Sequence, residues 1–141
     1  MEIAEQHTGK ITIVEIKGRI DSNTARVCAE KLTNLINAGH SRLVVDLKDS
    51  IYISSAGFRV LLVAGQLVKE KNGAVVLCSL SADLRKLFET GAFTDLFAIY
   101  STRDEAVARL SARHVVDLWT DPTDRLWIDS PDRRNDAASD R

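Results

Sequence analysis

The 141-residue chain contains two cysteines, Cys28 and Cys78. That is too few for a disulfide scaffold, and the pair has no metal-ligand spacing. Each falls within an apolar pattern, so both are expected to be small buried hydrophobes rather than reactive thiols. No apolar run approaches the roughly 18 residues needed to cross a bilayer, which argues against membrane insertion. The first six residues lack the basic and apolar regions of a signal peptide, so a cytoplasmic protein is expected. There is no surplus of positive charge: the formal net charge is −1. This excludes a generic nucleic-acid binder.

Motifs for enzymatic chemistry are missing as well. There is no Walker-type loop and no metal-binding cluster. The serine pair Ser54-Ser55 is followed by Ala56-Gly57, which is not a Gly-x-Ser-x-Gly elbow. The three histidines, His7, His40 and His114, form no motif with Ser55. The sequence therefore predicts a protein that is not an enzyme and uses no cofactor or metal.

What remains is an ordinary globular composition, 45% hydrophobic and 28% charged, at a length suited to one domain. Residues 11–16 are rich in β-branched side chains and read as a strand. Residues 3–7 read as a preceding strand, joined to it through a turn at Gly9. A helix follows, with apolar positions Ala25, Val27, Cys28, Leu32, Leu35 and Ile36, capped by Asp21 or Ser22 and ended by residues 37–39. Residues 42–47 form a buried strand and 48–53 a connector. A second helix spans about 56–71, with Asn72-Gly73 as its stop. Residues 74–78 form another buried strand. A helix starting at Ser81 ends before Gly91. A short strand covers 97–100, and Thr102 with Glu105 offers a capping box for a helix to about 113. Alternating strands and helices predict an α/β domain. Its sheet is mixed but mostly parallel, with about five strands, a hairpin first, and about four helices.

From His114 onward the pattern changes. Two short apolar islands, each with a tryptophan (Trp119 and Trp127), flank a turn signal at Asp121-Pro122. They are expected to dock on the domain itself or on a partner. Residues from about 130 to 141 are polar without periodicity and read as disordered. The chain thus divides into a domain over 1–113 and an extension over 114–141.

The segment Tyr52-Ile53-Ser54-Ser55-Ala56-Gly57-Phe58-Arg59 carries the main functional signal. A serine at a helix start is commonly an N-cap. On a helical wheel at about 100° per residue, Leu61, Ala64 and Val68 point to the core, while Arg59, Gln66 and Glu70 mark the outer face. Ser55 lies about 40° from that outer line, with Leu62 and Val63 on either side. The helix is thus apolar over more of its circumference than one buried stripe requires, as a docking surface is. A phosphate on Ser55 would bring about −1.5 to −2 charge at neutral pH. The helix N-terminus would tolerate that charge, and a partner docked over it would not.

These segments resemble the STAS domain family, in particular bacterial anti-sigma factor antagonists. Gly18-Arg19-Ile20-Asp21 resembles the family's Gly-x-Leu-Asp after the second strand. Val44-Val45-Asp46-Leu47 followed by Ser54-Ser55-Ala56-Gly57 resembles the strand and phosphorylation motif. Asn72-Gly73 with its strand, then Leu84-Arg85-Lys86-Leu87-Phe88 and Gly91, resembles the fourth strand and third helix. The resemblance covers about residues 3–112 and implies a partner-switching role. The unphosphorylated antagonist would bind an anti-sigma factor that is also a serine kinase of the histidine-kinase-like ATPase fold. Phosphorylation would release it, and a serine phosphatase would reset it. By position Ser55 is the phosphoacceptor and Asp21 lies beside it. The family often has Asp before the phosphoserine and Ser or Thr after it. Here Ser54 and Ala56 stand there, and Ser54 becomes a second candidate acceptor. Asp21, Ser54, Ala56, Gly57, Arg59, Leu62, Val63 and Gln66 are the candidate partner-binding residues. The alternative is a STAS regulator or subunit with a non-sigma partner, such as a lipid transporter.

Overall fold

The computed structural model describes residues 1–90 and 97–112. The C-terminal extension, its two tryptophans and the predicted helix stop at Gly91 lie outside those residues.

Ten elements follow one another among the described residues. They are β1 (Glu2–Thr8), β2 (Ile11–Ile20), α1 (Ala25–Asn37), β3 (Arg42–Asp46), β4 (Ser50–Ile53), α2 (Ser55–Glu70), β5 (Ala74–Cys78), α3 (Ala82–Thr90), β6 (Ala98–Tyr100) and α4 (Arg103–Ala112). The sheet runs β1-β2-β3-β5-β6, and β4 pairs with the far end of β2. Among the described residues only the β1–β2 hairpin is antiparallel, and the other pairings are parallel. The predicted α/β architecture with its leading hairpin is therefore present. Two details differ. The sheet has a sixth strand, β4, in the segment expected to be a connector. In addition, β2 does not stop at residue 16 but runs on to Ile20.

The central strands are apolar on both faces because both faces are covered. Leu43, Val45, Val75 and Leu77 point to one side, where they meet Leu32 and Ile36 of α1, Leu61 and Val68 of α2, and Leu84 and Phe88 of α3. Val44, Val76 and Cys78 point to the other side, against Ala106 and Leu110 of α4. Three helices thus cover one face of the sheet and α4 the other. Both cysteines are buried, and desolvation raises each thiol to about 11, as expected of packing residues.

The start of α4 is tied to the sheet by charge. Arg103 Nε donates to Asp46 Oδ2 at 2.8 Å, and the same guanidinium pairs with Glu15. Asp46 is only 4% exposed, and its second oxygen accepts the Lys48 N–H at 3.0 Å. Removing Arg103 would strand a buried carboxylate. Arg103→Ala is expected to cost about 2–4 kcal/mol in urea unfolding, and adding Asp46→Asn should recover part of the loss.

Candidate functional site

The site is built where the C-terminal end of β2 meets β4. Gly18 adopts a φ of +92° beside a break in the pairing register, and its N–H donates to the Asp49 carbonyl at 2.9 Å. A residue with a side chain rarely adopts that φ, which explains the glycine. Ser50 is buried and donates its hydroxyl to the Ile16 carbonyl at 2.5 Å. Arg19 then pairs in register with Tyr52 and Ile20 with Ile53. The Ser54 N–H donates to the Ile20 carbonyl at 2.8 Å, which carries the pairing to the doorstep of α2.

The two serines take different roles. Ser54, not Ser55, is the N-cap: its extended backbone directs Oγ to accept the Gly57 N–H at 3.3 Å. Ser55 is the first residue of α2 and is exposed, and its hydroxyl makes no hydrogen bond among the described residues. This corrects the expectation of Ser55 as a helix cap. It also leaves Ser55 as the idle hydroxyl of the pair.

Gly57 is buried. A Cβ there would lie 2.6 Å from Ile53 Cγ1, 2.8 Å from Ile20 Cγ2 and 3.2 Å from the Ile20 carbonyl oxygen. Its role is to let α2 start close against both strands.

Asp21 is half-buried in the turn after β2. The cap of α1 by position is Thr24, rather than the predicted Asp21 or Ser22. The Asp21 carboxylate holds the turn before the helix, with Oδ1 accepting the N–H groups of Asn23 at 3.0 Å and Thr24 at 3.2 Å. Desolvation pushes this carboxyl up, but those bonds outweigh it and hold it below the usual aspartate range. Arg19 Nε stands 3.9 Å from Asp21 Oδ2, and its guanidinium lies 4.4 Å from the centre of the Tyr52 ring.

On α2, Arg59 and Gln66 are exposed, Ala56 is half-buried and Val63 is 46% exposed. Leu62 is half-buried against the core, so the strip beside Ser55 is narrower on that side than the helical wheel suggests. Among the described residues the most exposed large hydrophobe is Ile51, at 65%, on β4 just before the serines. Neither Ile51 nor Arg19 stands out in the sequence. The alternation Ser50-Ile51-Tyr52-Ile53 was the available signal, because branched and aromatic residues in that pattern suit a strand.

His7 and His40 lie far from Ser55. They share Thr12 at the opposite end of β2, with Nδ1 atoms 3.1 and 3.3 Å from its hydroxyl oxygen, so neither serves Ser55 as a base. Among the described residues no group of three or more His, Cys, Asp or Glu is placed to hold a metal.

The sequence profile of the STAS domain matches residues 2–106. The chain belongs to the STAS domain family. Several relatives share much of its length, two of them as follows. One is BtrV of Bordetella bronchiseptica, named as a candidate anti-sigma factor antagonist; it is 31% identical over 108 residues, covering 77% of this chain and 93% of BtrV. The other is the anti-sigma-B factor antagonist of Bacillus subtilis, 34% identical over 94 residues, covering 67% of this chain and 85% of that protein. The same fold appears in SpoIIAA, an anti-sigma factor antagonist solved unphosphorylated. Its TM-score is 0.63 at 16% identity, covering 79% of this STAS chain and all of SpoIIAA. SpoIIAA has also been solved phosphorylated, with a TM-score of 0.61 at 17% identity, covering 77% of this chain and 98% of SpoIIAA.

Proposed function

We propose that this STAS domain is an anti-sigma factor antagonist whose binding is switched by phosphorylation of Ser55. The observation that carries this reading is the division of labour between the two serines. Ser54 is committed to capping α2, while Ser55 is exposed and unbonded one residue later. An acceptor hydroxyl must be free to approach a kinase, and Ser55 meets that need without loss of a cap.

The partner is a cytoplasmic anti-sigma factor with serine kinase activity, which docks over Ser55, Arg59, Gln66 and the exposed apolar residues Ile51 and Val63. Asp21 lies at the edge of this face. The kinase transfers the γ-phosphoryl group of ATP to Ser55 Oγ. The bond to ADP breaks, and the hydroxyl proton passes to a base or to solvent. The phosphate then sits in the interface and the complex separates. A phosphatase hydrolyses the ester and restores binding. The domain itself catalyses neither step.

Incubation with ATP and an anti-sigma factor kinase, followed by mass spectrometry, tests the assignment. One phosphate is expected, on Ser55, and none on Ser55→Ala. A phosphate found on Ser54, or none on the wild-type protein, would overturn it.

A further inference from the structure

Arg19 and Arg59, on the two elements that meet at the serine pair, have guanidinium groups with no hydrogen-bond partner among the described residues. Arg59 is exposed one helical turn after Ser55, a spacing that sets Cβ atoms about 5–6 Å apart. Arg19 approaches from β2. Its side chain is 57% exposed, and its closest carboxylate, Asp21, is 3.9 Å away, beyond hydrogen-bond distance. The Ser54 N–H is bonded to the Ile20 carbonyl, so the next residue in register with Ser54 is Asp21. A guanidinium beside the Asp21 carboxylate is therefore also at the edge of the serine pair. It is held there by stacking on Tyr52, which leaves its donors unspent.

We propose that Arg19 and Arg59 form a two-arginine receptor for a phosphate carried on Ser55, with Arg19 exchanging its loose contact with Asp21 for the phosphate. The proposal rests on the phosphorylation reading above and names where the new charge goes. The exchange favours the phosphate, which carries about −1.5 to −2 charge and three acceptor oxygens, against a single charge on Asp21. Guanidinium groups suit such oxygens because their donors form a flat fork. Asp21 keeps its bonds to Asn23 and Thr24, so the turn before α1 survives the loss of Arg19. The cluster of Arg19, Arg59, Asp21 and residue 55 changes from a net +1 to about −0.5 to −1 when Ser55 is modified. The fold is then screened from the phosphate while the docking face changes sign.

The test installs phosphoserine at position 55 during translation, with no kinase present, and follows its second ionisation by phosphorus NMR at low salt. The ordinary midpoint is about 6. In the phosphoprotein it should fall by about half a unit or more. Arg19→Gln and Arg59→Gln should each return part of the shift, and the double variant should return more than either, leaving only the part due to the helix N-terminus. Arg19→Lys, which keeps the charge, should retain part. Circular dichroism of each variant checks that the fold is intact. A midpoint in Arg19→Gln equal to that of the unsubstituted phosphoprotein would overturn the proposal. Because the phosphate is installed without a kinase, this outcome is independent of whether a kinase modifies Ser55.

Discussion

Ser55→Asp is expected to weaken binding to the anti-sigma factor kinase by about 100-fold or more, while the melting temperature moves by only a degree or two. The two effects separate because the same charge meets two environments. On the folded domain, position 55 is the first turn of α2, where the helix dipole and free N–H groups favour a negative group by a few tenths of a kcal/mol. Ser55 is exposed and unbonded there, so replacing it removes no contact. In the complex, the same carboxylate would be buried beneath an apolar or acidic partner surface that offers it no positive group, and Arg59, one turn away, would neutralise it only in part. An unpaired buried charge costs several kcal/mol, and about 1.4 kcal/mol already changes affinity tenfold. Ser55→Ala should bind as well as the wild type, because it adds neither charge nor bulk. Isothermal titration calorimetry with the three proteins decides the matter. Equal affinities for all three would sink the switching reading, whatever the state of phosphorylation.

Much of this fold can be read from local pattern. The runs at 43–45 and 74–78 are apolar without alternation, as strands covered on both faces must be, and both lie in the centre of the sheet. Thr102 and Glu105 do flank the start of α4. The Thr102 hydroxyl accepts the Glu105 N–H at 3.1 Å, and the Glu105 carboxylate reaches the N–H of Ser101 at 3.0 Å, one residue earlier than in a standard capping box. What escaped depends on contacts distant in sequence. Strand β4 has four residues and exists because β2 runs past Gly18 to meet it. Its buried Ser50 is fastened to Ile16, thirty-four positions away. The choice between Ser54 and Ser55 as cap follows from the bond of the Ser54 N–H to the Ile20 carbonyl, which fixes the residue at which the chain turns into the helix. Arg19 shows the same limit. It holds the unspecified position of the Gly18-Arg19-Ile20-Asp21 segment, and it joins the site because Tyr52 of β4 is brought beside it.

The stop after α2 illustrates a residue whose position is legible but whose reason is not. Asn72-Gly73 reads as a helix terminator, and helix ends commonly carry one residue in the left-handed conformation. In the structure Asn72 takes that conformation, with a φ of +59°, while the Gly73 N–H closes the helix by donating to the Val68 carbonyl at 2.7 Å. Gly73 is required for a different reason: its Cα faces the chain at the entry to β3. An added Cβ would overlap the Ser41 carbonyl oxygen and lie 2.6 Å from Ser41 Cβ and 2.8 Å from the Ser41 carbonyl carbon. These are mainly backbone atoms, so no side-chain rotation relieves the clash. The Ala74 N–H also donates to the Ser41 carbonyl at 2.8 Å, and β3 and β5 begin their pairing at Arg42 and Ala74. Moving Ser41 away would therefore loosen the start of the central strand pair. Gly73→Ala is expected to destabilise the domain by about 3 kcal/mol and to lower the melting temperature by about 10 °C. Thermal unfolding followed by circular dichroism measures both, and a melting temperature within two or three degrees of the wild type would show that β3 and β5 can part there at little cost.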